Sequence, residues 1–179
     1  MHFLDKRVRV ICEELKRLKV RQSFVIDSWK YREGFFVRPE DAEVFDGPQA
    51  GEEQADTGAD GGAHIAGSAW EDFDCNTMHW YGKDRHYWFR TTCQVPRELD
   101  GKRMWLYVCT QIEGWDAKNP QFLLFVNGKA VQGIDMNHRE VFLNPCAEAG
   151  EELTLDLQAY TGIDHQEFSL VVRLMEIDE

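Results

Sequence analysis

Gln121-Phe122-Leu123-Leu124-Phe125-Val126-Asn127-Gly128-Lys129-Ala130-Val131-Gln132 decides the fold class. An apolar run of strand length meets Asn-Gly, and a stretch alternating polar and apolar leaves it. A two-residue type I′ turn needs positive φ at both central positions, and Asn-Gly tolerates this best, so the stretch predicts a β-hairpin. After it the chain is expected to turn at Gly133 and to display Asp135, Asn137, His138, Arg139 and Glu140 within six residues.

Working outward, the same period of two recurs. Phe89, Thr91, Cys93 and Val95 share one face, as do Met104, Leu106 and Val108, with Trp105 and Tyr107 opposite. Val141–Leu143 is a short strand closed by Asn144-Pro145. Leu153, Leu155, Leu157 and Ala159 alternate with polar residues, and so do Phe168, Leu170, Val172 and Leu174. Short alternating strands separated by turn signals predict an antiparallel β-sandwich of about eight strands, the size of a jelly roll. Upstream, residues 24–37 predict one or two further strands with a turn at Glu33-Gly34.

Residues 1–22 read as an amphipathic helix packed on the sandwich: Leu4, Val8, Ile11, Leu15 and Leu18 recur at intervals of three and four among Lys, Arg and Glu. Residues 23–46 hold the short strands, residues 47–67 an acidic Gly/Ala-rich loop read as mobile, and residues 68–179 the sandwich core, all within one domain. A chain of 179 residues supports one such core.

The formal charge is −12, but residues 40–74 hold eleven Asp and Glu and no Lys or Arg, leaving −1 for the rest. No overall basic field exists to attract nucleic acid or an anionic membrane surface; Lys6, Arg7, Arg9, Lys16, Arg17, Lys19 and Arg21 make the N-terminal helix locally basic, and a solvated charged face is the expected reading there. No apolar run approaches the ~20 residues that span a bilayer. The cysteines, Cys12, Cys75, Cys93, Cys109 and Cys146, are odd in number and form no Cys-x-x-Cys, which favours free thiols and a cytoplasmic location.

The polar cluster after the hairpin carries residue types that do chemistry elsewhere. A retaining glycosidase needs two carboxylates about 5 Å apart. Asp135 and Glu140 are the compact pair available, on a loop where carboxylates are ordinarily solvated. Asp135, His138 and Glu140 are close enough in sequence to suggest zinc, but Arg139 sets a cation among them. Two readings remain for Asp135, Asn137, His138, Arg139 and Glu140: a loop satisfying its own polar groups, or a docking patch for another domain. The stretch from Trp70 to Trp88 mixes aromatic and polar residues and could line a sugar cleft or fill the core.

Three groups of residues resemble one family. They are Tyr87-Trp88-Phe89-Arg90-Thr91-Thr92 with Val95-Pro96; Val126-Asn127-Gly128-Lys129 with Asp135, Asn137-His138-Arg139-Glu140-Val141; and Ala149-Gly150-Glu151 with Leu157-Gln158-Ala159-Tyr160-Thr161-Gly162. Together they look like the N-terminal, non-catalytic domain of glycoside hydrolase family 38 α-mannosidases of the cytosolic or vacuolar type. The long acidic loop departs from that family. The resemblance implies a galactose-binding-like jelly roll preceding a zinc-dependent retaining catalytic domain on the same polypeptide. The zinc and the catalytic residues would belong to that other domain, so none is assigned here. The implied function is support and orientation of the catalytic domain, with assembly into oligomers through the parent enzyme left open. The alternative is a module binding mannose-containing glycans through Trp80, Tyr81, Trp105 or Trp115.

Overall fold

The computed structural model describes residues 2–44, 69–111 and 121–178. Helix α1 (His2–Lys19) leads directly into β1 (Val20–Ile26), and β2 (Ser28–Glu33) follows. A short helix, α2 (Asp41–Val44), precedes β3 (Glu71–Asp74), β4 (Trp80–Gly82), β5 (His86–Gln94), β6 (Met104–Cys109), β7 (Gln121–Val126) and β8 (Lys129–Ile134). The chain ends with β9 (Glu140–Asn144), β10 (Glu152–Tyr160), β11 (Gln166–Phe168) and β12 (Val171–Ile177).

A four-stranded sheet, β1-β12-β6-β9, faces a six-stranded sheet, β3-β2-β5-β10-β7-β8, and β11-β4 form a separate pair. Every pairing is antiparallel. From β5 to β12 the chain passes repeatedly between the sheets, so β10 lies between β5 and β7, and β12 between β1 and β6. This is the expected all-β sandwich with an N-terminal helix, and the crossing connections are those of a jelly roll. The described residues hold twelve strands where about eight were expected, because several are only three to five residues long.

The deciding hairpin forms as read. Val126 pairs with Lys129, and Asn127 (φ 50°) and Gly128 (φ 76°) both take positive φ. Asn127 also fixes the hairpin to β10: its side-chain oxygen accepts the Thr154 N–H at 2.9 Å, and its own N–H donates to the Thr154 carbonyl at 2.8 Å. The turn expected at Gly133 comes later, since Gly133 still pairs with Leu123.

The core is built in rows. Tyr31, Phe89, Leu157 and Leu124 are cross-strand partners on the inner face of the six-stranded sheet. Met104, Leu106, Val108, Val141, Val172 and Leu174 meet them from the four-stranded sheet, all buried. Trp80 sits at the end of this core, its ring centroid 4.7 Å from Phe168 and 5.5–5.7 Å from Phe89, Phe122 and Tyr87.

The outer face of the six-stranded sheet is covered as well. Trp88, Phe125 and Ala42 form a second buried cluster with Phe36, Trp70 and Leu123 packed on it. The Arg32 guanidinium lies 4.8 Å from the Phe36 ring centre and 5.6 Å from that of Trp70, and it donates to the Ala42 carbonyl. Arg90 lies 5.4 Å from the Trp70 ring and pairs with the buried Asp156 carboxylate.

Three expectations are corrected. The boundary at residue 22 is displaced, because β1 begins at Val20. The strands near residues 24–37 break at Asp27 rather than at Glu33-Gly34. The helix forms, but its apolar stripe does not pack on the sandwich: Leu4, Val8, Ile11, Leu15 and Leu18 are all exposed. The acidic loop 47–67 lies outside the described residues.

Candidate functional site

The candidate site is a cleft of about 460 Å³ at the end of the sandwich where β4 approaches β2 and β3. Its floor is Trp80 and Tyr87, both core residues. Its walls carry Tyr31 and Glu33 from β2, Glu71 from β3, and Tyr81, Lys83 and Arg85 around the β4–β5 turn. Side-chain alternation along β4 explains the division of labour: Trp80 turns into the core, and its neighbour Tyr81 turns out and stays 59% exposed.

Hydrogen bonds hold the walls. The Tyr87 hydroxyl donates to the Tyr81 carbonyl at 2.9 Å, anchoring the backbone beneath the exposed ring. Arg85 Nη1 pairs with Glu33 Oε1 at 2.6 Å, and the Tyr31 hydroxyl donates to Glu71 Oε2 at 3.2 Å. His165 stands edge-on to the Tyr81 ring at 6.3 Å. Gly82 (φ +147°) makes room for this arrangement, since a Cβ there would meet Arg85 Cγ at 2.6 Å. Burial raises the Tyr87 phenol to about 12, with Glu33 adding to the rise. Burial, then Glu71, raises Tyr31 in the same direction. Both phenols therefore remain hydrogen-bond donors at neutral pH.

An exposed aromatic face ringed by two carboxylates, a guanidinium and an ammonium can stack on a sugar ring while exchanging hydrogen bonds with its hydroxyls. The charges of Glu33, Glu71, Lys83 and Arg85 balance, which suits a neutral ligand.

Of the residues expected as sugar contacts, Trp80, Tyr81 and Trp105 are not brought together. Tyr81 lies in the cleft, and Trp80 is buried beneath it. Trp105 is on β6 in the other sheet, against Phe142 at 5.1 Å. Trp115 lies outside the described residues. Glu71 and Lys83 fall within the Trp70–Trp88 stretch read as a possible sugar cleft, whereas Glu33 and His165 come from distant segments that no local pattern joins to it.

Asp135, Asn137, His138 and Arg139 lie in the loop between β8 and β9, and Glu140 is the first residue of β9. Asp135 Oδ1 accepts the N–H groups of Asn137 (2.7 Å) and His138 (2.8 Å) and lies 3.0 Å from His138 Nδ1. Burial pushes the Asp135 carboxyl up, but these hydrogen bonds outweigh it and hold its pKa below the ordinary value. Arg139 Nε donates to the Met136 carbonyl at 2.8 Å. Glu140 turns away to meet Lys19 Nζ at 2.6 Å, tying the end of α1 to β9. Much of the loop's polarity is thus spent within the chain, with His138 left largely exposed.

No protein-family model and no curated protein matches this sequence. Solved structures do resemble it. A β-glucuronidase from Ruminococcus gnavus in complex with D-glucaro-1,5-lactone has 12% sequence identity and a TM-score of 0.50, over 90% of this chain and 30% of that one. An uncultured Clostridium sp. β-glucuronidase has 14% identity and a TM-score of 0.50 over the same shares. The likeness is one of fold. This chain spans about 30% of the length of those structures.

Proposed function

We propose that this chain is a non-catalytic sandwich domain of a glycoside hydrolase, of the family 38 α-mannosidase kind, and that it supports and orients a catalytic domain on the same polypeptide in the cytoplasm. One observation carries the reading. The family-like residues Asn127 and Gly128 form the β7–β8 turn, and Asp135, Asn137, His138 and Arg139 form the loop that carries the chain from β8 in one sheet to Glu140 of β9 in the other, with Asp135 Oδ1 accepting the Asn137 and His138 N–H groups. The partial-length likeness to two glycosidases is compatible with it. Zinc and the reacting carboxylates belong to the other domain in this reading, and no residue here is assigned to them.

The polypeptide that carries this sequence is expected to hydrolyse an aryl α-mannoside and to lose that activity on chelation, while the 179-residue chain alone gives no turnover. Cleavage of an aryl β-glucuronide in place of the α-mannoside overturns the family assignment. Turnover by the chain alone overturns the non-catalytic role.

A second reading is favoured by the exposed Tyr81 ring: the cleft holds a neutral sugar residue. Calorimetry of the chain with mannose or α-mannobiose is expected to show saturable heat with Kd of about 1 mM, weakened at least about tenfold by Tyr81→Ala. Absence of heat, or binding that Tyr81→Ala leaves unchanged, removes this reading and leaves the first untouched.

A further inference from the structure

The apolar stripe of α1 is too regular to be incidental. Leu4, Val8, Ile11, Leu15 and Leu18 follow spacings of four, three, four and three, which is the a/d pattern of a coiled-coil seam rather than the broader face of a helix lying on a sheet. All five side chains are 52–76% exposed, and the seam runs unbroken along a helix about 27 Å long. With Val8 and Leu15 at a and Leu4, Ile11 and Leu18 at d, the flanking g positions are Arg7 and Glu14, and the e positions are Asp5, Cys12 and Lys19.

We infer that α1 pairs antiparallel with α1 of a second copy of this chain. Charge selects the partner and the direction. With Leu4 opposite Leu15 of the second copy and Val8 opposite its Ile11, Arg7 of each helix faces Glu14 of the other, giving two opposite-charge pairs by symmetry. Arg7 and Glu14 are both exposed, and they stand two turns apart on one helix, too far to pair with each other. Shifting the antiparallel register by one heptad would instead set Glu14 against Glu14. In a parallel pair Arg7 would face Cys12, and Glu14 would need Lys19, whose ammonium is already engaged by Glu140 at 2.6 Å. The antiparallel arrangement also sets the two junctions between α1 and β1 at opposite ends of the helix pair.

Sedimentation velocity of the 179-residue chain over about 1–100 µM is expected to show a concentration-dependent dimer. Ile11→Glu should leave a monomer whose near-ultraviolet circular dichroism is unchanged, since Ile11 touches solvent and not the core. Arg7→Glu should weaken the dimer roughly tenfold, and adding Glu14→Arg to the same chain should restore it. That rescue belongs to the antiparallel pair alone, because in a parallel pair Arg7 faces no charge and Glu14→Arg sets Arg against Lys19. A monomer at the highest concentration, a dimer indifferent to Ile11→Glu, or an Arg7→Glu variant that Glu14→Arg does not rescue overturns the proposal. So does a monomer that sediments with vesicles containing phosphatidylserine, which would assign the stripe to a lipid surface.

Discussion

Asp156→Ala is expected to destabilise the sandwich by about 3–5 kcal/mol in urea unfolding, because it leaves Arg90 without its carboxylate in a largely dry site. Asp156 is 1% exposed at the middle of β10, opposite Arg90 on β5 and Phe125 on β7. The Arg90 guanidinium is held on three sides, by Asp156, by the Pro39 carbonyl at 3.1 Å and by the Trp70 ring. The attraction within the pair is offset by the cost of desolvating both ions, so the intact pair contributes little net stability while a broken one costs much. The double variant Asp156→Leu/Arg90→Met, which removes both charges, should therefore lie well above the single variant. If the double variant is as unstable as Asp156→Ala, the loss comes from packing around Trp70 and not from an orphaned charge.

Trp80→Ala should cost about 3–5 kcal/mol in the same measurement, while Tyr81→Ala, one residue on, should cost less than about 1 kcal/mol. Trp80 is 1% exposed and touches Phe168, Phe89, Phe122 and Tyr87, so its removal leaves a cavity bounded by β5 and β7 of the six-stranded sheet and by β11. Tyr81 contributes mainly an exposed ring. The opposite ordering should hold for ligand heat, where Tyr81→Ala matters. Equal stability losses at the two positions would mean that the Tyr81 ring packs as core and that the cleft is closed.

The sandwich was legible because its strands obey a local rule. Leu153, Leu155, Leu157 and Ala159 alternate in the sequence and are all buried, and Asn127-Gly128 could adopt the turn that it does adopt. The same rule failed where it had no local information to use. Phe168 to Leu174 alternates without interruption, yet Phe168 belongs to the rim pair with β4, and Val172 and Leu174 belong to the four-stranded sheet. Alternation also put Asp156 on a polar face expected to be wet, and that face is buried because residues 35–42 and Trp70 fold over it. A segment without periodicity gives no sign of what it will cover. Part of the cleft was visible in the aromatic and polar run from Trp70 to Trp88. Glu33 and His165 were not, since only the tertiary fold brings them to Tyr81.

The pairing of β1 with β12 has a mechanical consequence. Val20 faces Ile177 at one end of this edge pair and Ile26 faces Val172 at the other, and the Asp178 N–H closes onto the Lys19 carbonyl at 2.8 Å. A pull applied between residues 20 and 177 would load these antiparallel rungs one after another, as in opening a zipper, rather than shearing them all at once. The seam most exposed to tension is therefore the one beside α1, and it can part rung by rung while the rows around Phe89 and Leu157 stay paired.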